Sequence, residues 1–227
     1  MQRTSIVSAL AVAALFIVPV ATDGQGLFSR DSEATILRKA RKYNLVSVRK
    51  EVPGAFIDMR YKITSASGKP LYTNEMPCLI HRSTAQKLHR VNQKLKTHGY
   101  ALKIWDGWRP PEAHLALWNA VRDPKFVVPP SKGLSWHCYG ISIDLTLVKL
   151  DGTEVAMPSR FDEFSERAKS NYTGDDPGIK RRVELLQQLM IAEGFRKIES
   201  EWWHFDDMKA QGGIRRVNAA DLGIRMP

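Results

Sequence analysis

The strongest constraint on the fold is the stretch from Ser135 to Leu147, where a histidine and an aspartate flank a change of backbone direction. From Gly140 onward apolar and polar residues alternate, a period of two that is typical of a half-buried strand. Asp144 is expected on the polar face of that strand. His137 precedes the strand, and Gly140 allows the backbone to turn sharply between them. The imidazole and the carboxylate can therefore converge on one point.

A second motif, Glu201-Trp202-Trp203-His204, lies near the C-terminus. A catalytic zinc ion usually has three protein ligands, and His204 can complete a set begun by His137 and Asp144. Glu201 precedes His204 by three residues and can pass a proton from an attacking water to a leaving amine. The spacing differs from the helical His-Glu-x-x-His motif, so strands and turns must supply the geometry. The pattern indicates a hydrolytic site with one zinc ion per chain.

Both motifs resemble the Ser-x-His-x-x-Gly-x-x-x-Asp and Glu-x-Trp-His signatures of the zinc D-alanyl-D-alanine dipeptidases, relatives of the D,D-carboxypeptidases that trim peptidoglycan. The resemblance runs from about Phe56 to His204. It implies zinc-dependent hydrolysis of the small dipeptide D-alanyl-D-alanine to two D-alanines, in the turnover or salvage of cell-wall peptides. It also implies that an Asp-x-Arg-Tyr stretch, here Asp58 to Tyr61, lies near the substrate pocket.

Arg109 follows a predicted strand and precedes a predicted helix, within Asp106-Gly107-Trp108-Arg109-Pro110. The family has Asp-Gly-Tyr-Arg-Pro there, so Trp108 is a departure that leaves the charge in place. A planar guanidinium at such a corner suits an anion, either a substrate carboxylate or a developing oxyanion. Without the resemblance, an ion pair between Arg109 and Asp106 or Glu112 is the preferred interpretation.

Two further residues are singled out by the resemblance alone. Ser135 matches a family position in the pocket and could contact the substrate backbone. Asp162 matches an aspartate that helps to hold the free amino terminus of the dipeptide, although a helix cap or an ion pair with Arg160 or Arg167 would also explain it. Between the two ligand positions the chain departs from the usual family sequence, at Cys138, Tyr139, Ile141 and Ser142.

Two competing functions remain open at this point. A D,D-carboxypeptidase acting on longer peptidoglycan stem peptides is favoured if the pocket is open and Asp162 faces solvent. A non-catalytic, zinc-stabilised wall-binding module is favoured if Glu201 is held away from the metal. The sequence offers no function for the residues after Phe205.

The N-terminus predicts export. Met1-Gln2-Arg3 and an apolar run up to Val20 are typical of a secretory signal peptide, assigned to residues 1–22, with the catalytic domain over 23–227. The run is short and contains Pro19, which disfavours a membrane span in the mature chain. An uncleaved N-terminal anchor is the alternative. Under oxidising conditions Cys78 and Cys138 could form a disulfide, and they could equally be buried thiols.

Composition limits the remaining classes. The net charge is +10, but the Lys and Arg residues are dispersed rather than clustered with aromatics, which argues against nucleic-acid binding. Nothing indicates an obligate protein partner. With 227 residues, 43% of them hydrophobic, the chain can form one α+β domain, with helices on a mainly antiparallel sheet and zinc in a cleft. We expect helices over residues 32–43, 83–99, 111–121 and 177–194, and strands over residues 45–50, 55–61, 100–105, 140–147 and 148–157.

Overall fold

The computed structural model describes residues 25–227. The predicted signal peptide, residues 1–22, lies outside them and stays a prediction. The helices are α1 (Gln25–Arg41), α2 (Val48–Glu51), α3 (Arg82–Lys96), α4 (Pro111–Val121), α5 (Pro177–Ala192) and α6 (Ala219–Leu222). The strands are β1 (Leu45–Ser47), β2 (Phe56–Ile57), β3 (Leu79–His81), β4 (Tyr100–Asp106), β5 (Ser142–Lys149), β6 (Arg196–Lys197) and β7 (His204–Asp206). None of the helices within these residues has the length and apolar character needed to cross a membrane.

The described strands form a five-stranded sheet in the order β2-β4-β5-β7-β6 and a separate antiparallel pair, β1 with β3. All neighbours in the larger sheet are antiparallel except β2 and β4. Helices α3 and α5 pack against β4 and β5 and close the hydrophobic core over one face of the sheet. The expected α+β domain with a mainly antiparallel sheet is confirmed.

The central strand β5 differs from the prediction in one respect. Seven of its eight residues are buried, so it is buried on both faces rather than on one. Its apolar residues Ile143, Leu145 and Leu147 belong to the core. Its polar residues on the opposite face, including Asp144, lie beneath loops that enclose a cavity. The alternation of apolar and polar residues along β5 therefore distinguishes a core face from a face that carries the site. It does not distinguish a buried face from a solvent-exposed one.

The predicted strands over residues 45–50 and 55–61 are largely wrong. Strand β1 ends at Ser47 because its partner β3 is only three residues long, and α2 begins at the next residue. Strand β2 comprises two residues, and a 3₁₀-helix follows at Arg60–Lys62. Tertiary pairing, rather than the local alternation, sets the length of these strands.

The predicted return strand over residues 148–157 is also wrong. The chain does turn at Asp151-Gly152, with Gly152 at φ +87°, but only a single bridge forms, between Val148 and Glu154. Both edges of β5 are already paired, one with β4 and the other with β7. A hairpin partner would have no free edge to join.

Helix α3 begins one residue before the range predicted from the sequence, in which Ser83 would be the cap. His81, not Ser83, is the N-cap, and its Nδ1 accepts a hydrogen bond from the Ser83 backbone N–H at 3.4 Å. The bounds predicted for α4 are confirmed, and so is the start of α5 at Pro177.

The cysteines, both within the described residues, are free thiols. Cys78 and Cys138 are buried and form no disulfide, so the disulfide alternative is wrong for this structure. Burial raises the pKa of Cys138 to about 12, which keeps that sulfur protonated near neutral pH.

A tryptophan cluster fixes the approach to β7. Trp202 and Trp203 are fully buried and meet edge to face, with ring centroids 5.6 Å apart. Trp105 of β4 packs against Trp202 at the same separation. The Trp202 backbone N–H donates to the Ala168 carbonyl at 2.8 Å, and its ring N–H donates to Ser159 Oγ at 3.0 Å. These contacts hold the segment that carries Glu201.

Candidate metal centre and active site

Three side chains of the candidate site occupy one row across the sheet. Asp106 of β4 lies opposite Asp144 of β5, which in turn lies opposite His204 of β7. Directly opposite residues in a ladder project to the same face, so the strand register brings these side chains together. The β4 register is irregular between Ile104 and Asp106, the kind of bulge that re-aims a side chain near a site.

His137 reaches the same point from outside the sheet. It lies in a 3₁₀-helix, Trp136–Tyr139, and its backbone N–H donates to Ser135 Oγ at 3.3 Å. Gly140 then turns the chain into β5 with φ +68°. A Cβ at this position would come within 2.5 Å of the Leu45 side chain, so the turn requires glycine on two counts.

The three candidate ligands converge as the sequence indicated. His137 Nε2 lies 3.3 Å from Asp144 Oδ2, and His204 Nδ1 lies 2.9 Å from Asp144 Oδ1. The two ring nitrogens are 3.3 Å apart, and one ligand atom from each residue lies within 4.8 Å of the others. His204, the most accessible of the three, is only 9% exposed.

The remaining ring nitrogens decide the tautomers. His137 Nδ1 lies 2.7 Å from the Gly107 carbonyl oxygen, which can only accept, so Nδ1 carries the hydrogen. His204 has a carboxylate oxygen at each ring nitrogen, with Asp206 Oδ1 at 2.9 Å from Nε2 and Asp144 Oδ1 at 2.9 Å from Nδ1, so both nitrogens can carry a hydrogen and donate. His137 Nε2 therefore directs a lone pair toward Asp144, and His204 Nδ1 would do so once a metal ion took the place of its hydrogen. Two imidazole nitrogens and one carboxylate that converge in this way fit a zinc ion.

The electrostatics of this point favour a cation. Although burial opposes it, the carboxylates of Asp144 and Asp206 raise the pKa of His204 to about 10. The pKa of Asp144, despite its own burial, is held well below its usual range by His137 and His204. The buried carboxylates therefore stabilise positive charge where the imidazoles meet.

Arg109 lies at the corner between β4 and α4 and is buried at the edge of the site. Its Nε and NH2 groups each donate to Asp106 Oδ2 at 2.8 Å, and its NH2 lies 3.4 Å from Asp144 Oδ2. The guanidinium also stacks over the Tyr61 ring at 5.1 Å. The expected ion pair with Asp106 is therefore present, and it holds the cation rigidly beside the candidate ligands. Glu112, the other proposed partner, instead accepts from the Ala219 backbone N–H at 3.3 Å.

Glu201 directs its carboxylate toward the same point. Its Oε2 lies 3.9 Å from His204 Nδ1, and the residue is 7% exposed. Burial raises the pKa of Glu201 to about 8, despite the opposing effect of His204. A carboxyl group with a pKa near neutrality can both accept and donate a proton, as a general acid/base requires.

Asp162 and Ser135 line the same cavity. Asp162 adopts φ +55°, and its Oδ2 accepts a hydrogen bond from the Tyr61 hydroxyl at 2.8 Å. Burial raises the pKa of Asp162 to about 7 despite that hydrogen bond. The alternative ion pair with Arg167 is wrong, because Arg167 pairs with Glu163. Ser135 lines the cavity at the start of the 3₁₀-helix that carries His137, where its Oγ accepts the His137 backbone N–H.

The cavity that these residues share has a volume of about 380 Å³. Glu201, Arg109, Asp162, Ser135 and the three candidate ligands all line it. The rest of its lining includes the apolar side chains Leu117, Phe126, Val127, Leu134 and Phe164.

Comparison with known proteins places this geometry in a family. The model of a family described as D-ala-D-ala dipeptidase matches residues 41–220, most of the chain. The chain belongs to the D-ala-D-ala dipeptidase family. It is 35% identical over 155 residues to the D-alanyl-D-alanine dipeptidase of Escherichia coli strain K12, covering 68% of this chain and 79% of that protein. It is 30% identical over 158 residues to the Enterococcus faecium enzyme of the same name, covering 61% and 78%.

The resemblance first seen in the motifs is thereby confirmed, and this member of the family is a metallopeptidase. The matched residues include every residue of the site described above, from Tyr61 to Asp206. The family assignment and the geometry therefore concern the same cavity.

Sequence reasoning did not single out three contributors to the site. Asp106 was considered only as an alternative partner for Arg109, whereas it is completely buried and also accepts from the Tyr72 hydroxyl at 2.8 Å. Tyr61 was placed only near the pocket. Asp206 was not considered at all, although it follows His204 by two residues, the spacing that puts strand neighbours on one face.

Proposed function

We propose that this chain is a zinc-dependent dipeptidase that hydrolyses D-alanyl-D-alanine to two D-alanines. The observation that carries the proposal is the convergence of His137 Nε2, His204 Nδ1 and the Asp144 carboxylate in a cavity that Glu201 also lines. His137, Asp144 and His204 would hold one zinc ion. The names of the E. coli and E. faecium relatives support the substrate.

Bound zinc supplies a Lewis acid that polarises the scissile carbonyl and makes the attacking water more acidic. Glu201 takes the proton from that water on a carboxylate oxygen and then delivers it to the nitrogen of the leaving D-alanine. Its burial keeps the proton affinity near that required for both steps. Ser135, at the cavity wall, is positioned to contact the substrate backbone.

Arg109 supplies the positive charge for the oxygen of the reacting carbonyl. Asp106 fixes its guanidinium through two hydrogen bonds, and Tyr61 fixes the plane by stacking. A cation that is already oriented stabilises developing negative charge without reorganisation during the reaction.

We expect Arg109→Lys to lower kcat more than it raises KM, because a lysine ammonium cannot reproduce the planar, two-contact pairing with Asp106. Steady-state kinetics with D-alanyl-D-alanine measure both constants. Arg167→Lys is the matched control, since Arg167 forms an exposed pair with Glu163, and its kinetics should equal those of the parent. A rise in KM with unchanged kcat would instead make Arg109 an anchor for the substrate carboxylate.

Asp162 would select for dipeptides. A dipeptide has a free ammonium beside the scissile bond, and desolvating that group without a partner costs several kcal/mol. The Asp162 carboxylate, half-buried in the cavity wall and hydrogen-bonded to Tyr61, supplies the partner. An N-acylated peptide carries no such charge and would leave the carboxylate without a cation.

We therefore expect D-alanyl-D-alanine to be cleaved and N-acetyl-D-alanyl-D-alanine to be nearly inert, as measured by the release of D-alanine. Asp162→Asn should depress dipeptide cleavage while zinc content stays at one per chain. Glu163→Gln, which changes the adjacent carboxylate that pairs with Arg167, is the control and should leave cleavage unchanged. A parent protein that contains no zinc or does not cleave the dipeptide would overturn the proposed function.

The two alternative functions, a D,D-carboxypeptidase and a non-catalytic binding module, each required a structural feature that can be compared with the site. A carboxypeptidase was favoured by a solvent-facing Asp162, whereas this residue is half-buried and its carboxylate accepts the Tyr61 hydroxyl. Efficient cleavage of the acetylated peptide or of a wall pentapeptide would nevertheless establish that activity. A non-catalytic binding module was favoured if Glu201 was held away from the metal. The Glu201 carboxylate lies 3.9 Å from His204 Nδ1, which argues against that function.

Export to the periplasm or the extracellular space, and a role in wall-peptide turnover or salvage, are part of the same proposal. The basic N-terminus and apolar run within residues 1–22 support the location. The resemblance to a family related to the carboxypeptidases that trim peptidoglycan supports the role. The proposal includes no nucleic acid and no obligate protein partner.

A further inference from the structure

A second row of polar side chains crosses the sheet beside the row of candidate ligands. Asp206 of β7 lies opposite Ser142 of β5 on one side and opposite Arg196 of β6 on the other. Asp206 follows His204 by two residues in β7, so these two side chains share a face of the sheet. Ser142 precedes Asp144 by two residues in β5 and shares the same face with it. The register that assembles the candidate ligands therefore also places this second row behind them.

The contacts within the second row fix the Asp206 carboxylate. Its Oδ1 accepts from His204 Nε2 at 2.9 Å and from the Ser142 hydroxyl at 2.5 Å. Its Oδ2 accepts from Arg196 NH2 at 2.8 Å. The residue is 3% exposed, and both of its oxygens have donors. A buried carboxylate held in this way cannot rotate away from His204 without breaking hydrogen bonds.

His204 lies between two carboxylates, with Asp206 at Nε2 and Asp144 at Nδ1. If the ring hydrogen moved to Nδ1, that nitrogen would donate to Asp144 and have no lone pair for a metal. An acceptor at Nε2 lets the one hydrogen of the neutral ring stay on that nitrogen, which leaves Nδ1 for the metal.

We propose that Asp206 is a positioning residue for the metal centre, holding the His204 ring in the orientation and tautomer that present Nδ1 to zinc. Ser142 and Arg196 act through Asp206 by fixing its two oxygens. This inference rests on the proposed function, because it presupposes that His137, Asp144 and His204 bind the metal.

The adjacent residue provides a matched control. Asp207 is completely buried, but it points to the other face of the strand, where it accepts from the Thr84 hydroxyl at 2.9 Å and pairs with Lys87. Asp207→Asn removes a buried carboxylate one position away without touching His204. It therefore reports the general cost of such a substitution at this point of the chain.

The test measures the zinc dissociation constant of the full chain by competition with a chelator, below the unfolding temperature of each variant. Outer partners of metal-bound histidines contribute about tenfold to a hundredfold to metal affinity. We expect Asp206→Asn to weaken zinc binding by about that factor, and Asp207→Asn to leave it unchanged even if the protein melts at lower temperature. The absorption spectrum of the cobalt(II)-loaded protein should change for Asp206→Asn alone.

Arg196→Gln provides a second variant, because this side chain is 57% exposed and its removal should not prevent folding. We expect it to weaken zinc binding by a smaller factor, about two- to tenfold. Unchanged zinc affinity in both Asp206→Asn and Arg196→Gln, beside a parent that holds zinc, would overturn this inference and leave the proposed function standing. A parent without zinc would overturn both.

Discussion

Replacement of His204 by alanine is expected to remove zinc from the protein and, with it, all measurable dipeptide hydrolysis. His204 Nδ1 is one of three ligand atoms that lie within 4.8 Å of one another, so its loss leaves His137 and Asp144 alone. Two protein ligands rarely retain zinc, for which three or four are usual. Metal analysis of the purified protein gives the zinc content per chain, and D-alanine release gives the activity.

The control for this variant is His89→Ala. His89 lies on α3, and its Nδ1 is 3.2 Å from the Glu51 carbonyl oxygen, far in the fold from the sheet face that carries the site. Its replacement should leave both zinc content and activity at the parent value. A His204→Ala protein with stoichiometric zinc and full activity would show that the ligand assignment is wrong.

Replacement of Glu201 by alanine is expected to retain zinc but to lower turnover by at least about a hundredfold, the usual scale for loss of a general acid/base. His137, Asp144 and His204 already supply the three protein ligands usual for a catalytic zinc ion, so the ligand set does not need Glu201. Glu201→Asp should recover little, because the shorter side chain withdraws the carboxylate from the proton that it must take. Turnover is measured as kcat, with the zinc content of each sample determined in parallel.

Glu199→Ala, an exposed carboxylate two residues earlier, is the control and should behave as the parent. Activity near the parent value in Glu201→Ala would assign proton transfer to another residue. The two variants also separate two roles: loss of zinc and turnover together identifies a ligand, whereas loss of turnover alone identifies a group that acts on the substrate.

Local sequence signals, such as a proline or an alternation of apolar and polar residues, correctly predicted helix α4 and strand β5. Helix α4 begins at Pro111, which has no N–H to leave unpaired in the first turn, and its bounds follow from that position. The alternation after Gly140 identified β5 and placed Asp144 on the face opposite the core residues. Residue types and spacing alone also predict that four side chains converge, without any knowledge of strand pairing: His137, Asp144, His204 and Glu201.

The remaining features depend on partners that are distant in the sequence. Nothing in the turn at Asp151-Gly152 reveals that both edges of β5 are taken, and nothing within residues 45–50 reveals that β3 is only three residues long. The burial of β5 on its polar face likewise comes from loops far away in the chain. The pairing of strands and the burial of a strand face by distant loops are tertiary effects. The local alternation of apolar and polar residues does not determine them.

The same distinction applies within the site. Arg109 could be assigned a cationic role from its motif, but its orientation depends on Asp106, Tyr61 and Asp144, which converge only in the folded sheet. Asp206 could have been found from the sequence, since a polar residue two positions after a ligand on a strand shares the ligand's face. Its significance required the register, which places Ser142 and Arg196 beside it.

The tryptophan cluster makes the site optically observable. Trp202 and Trp203 stand between Glu201 and His204 in the chain, and they pack with Trp105 at centroid separations of 5.6 and 6.5 Å. Indole rings this close couple their excited states, so the near-ultraviolet circular dichroism of the cluster depends on the angles between the rings. Any change in the backbone around His204 alters those angles. Metal loading and substrate entry can therefore be followed through intrinsic fluorescence and dichroism, without an added label and without waiting for turnover.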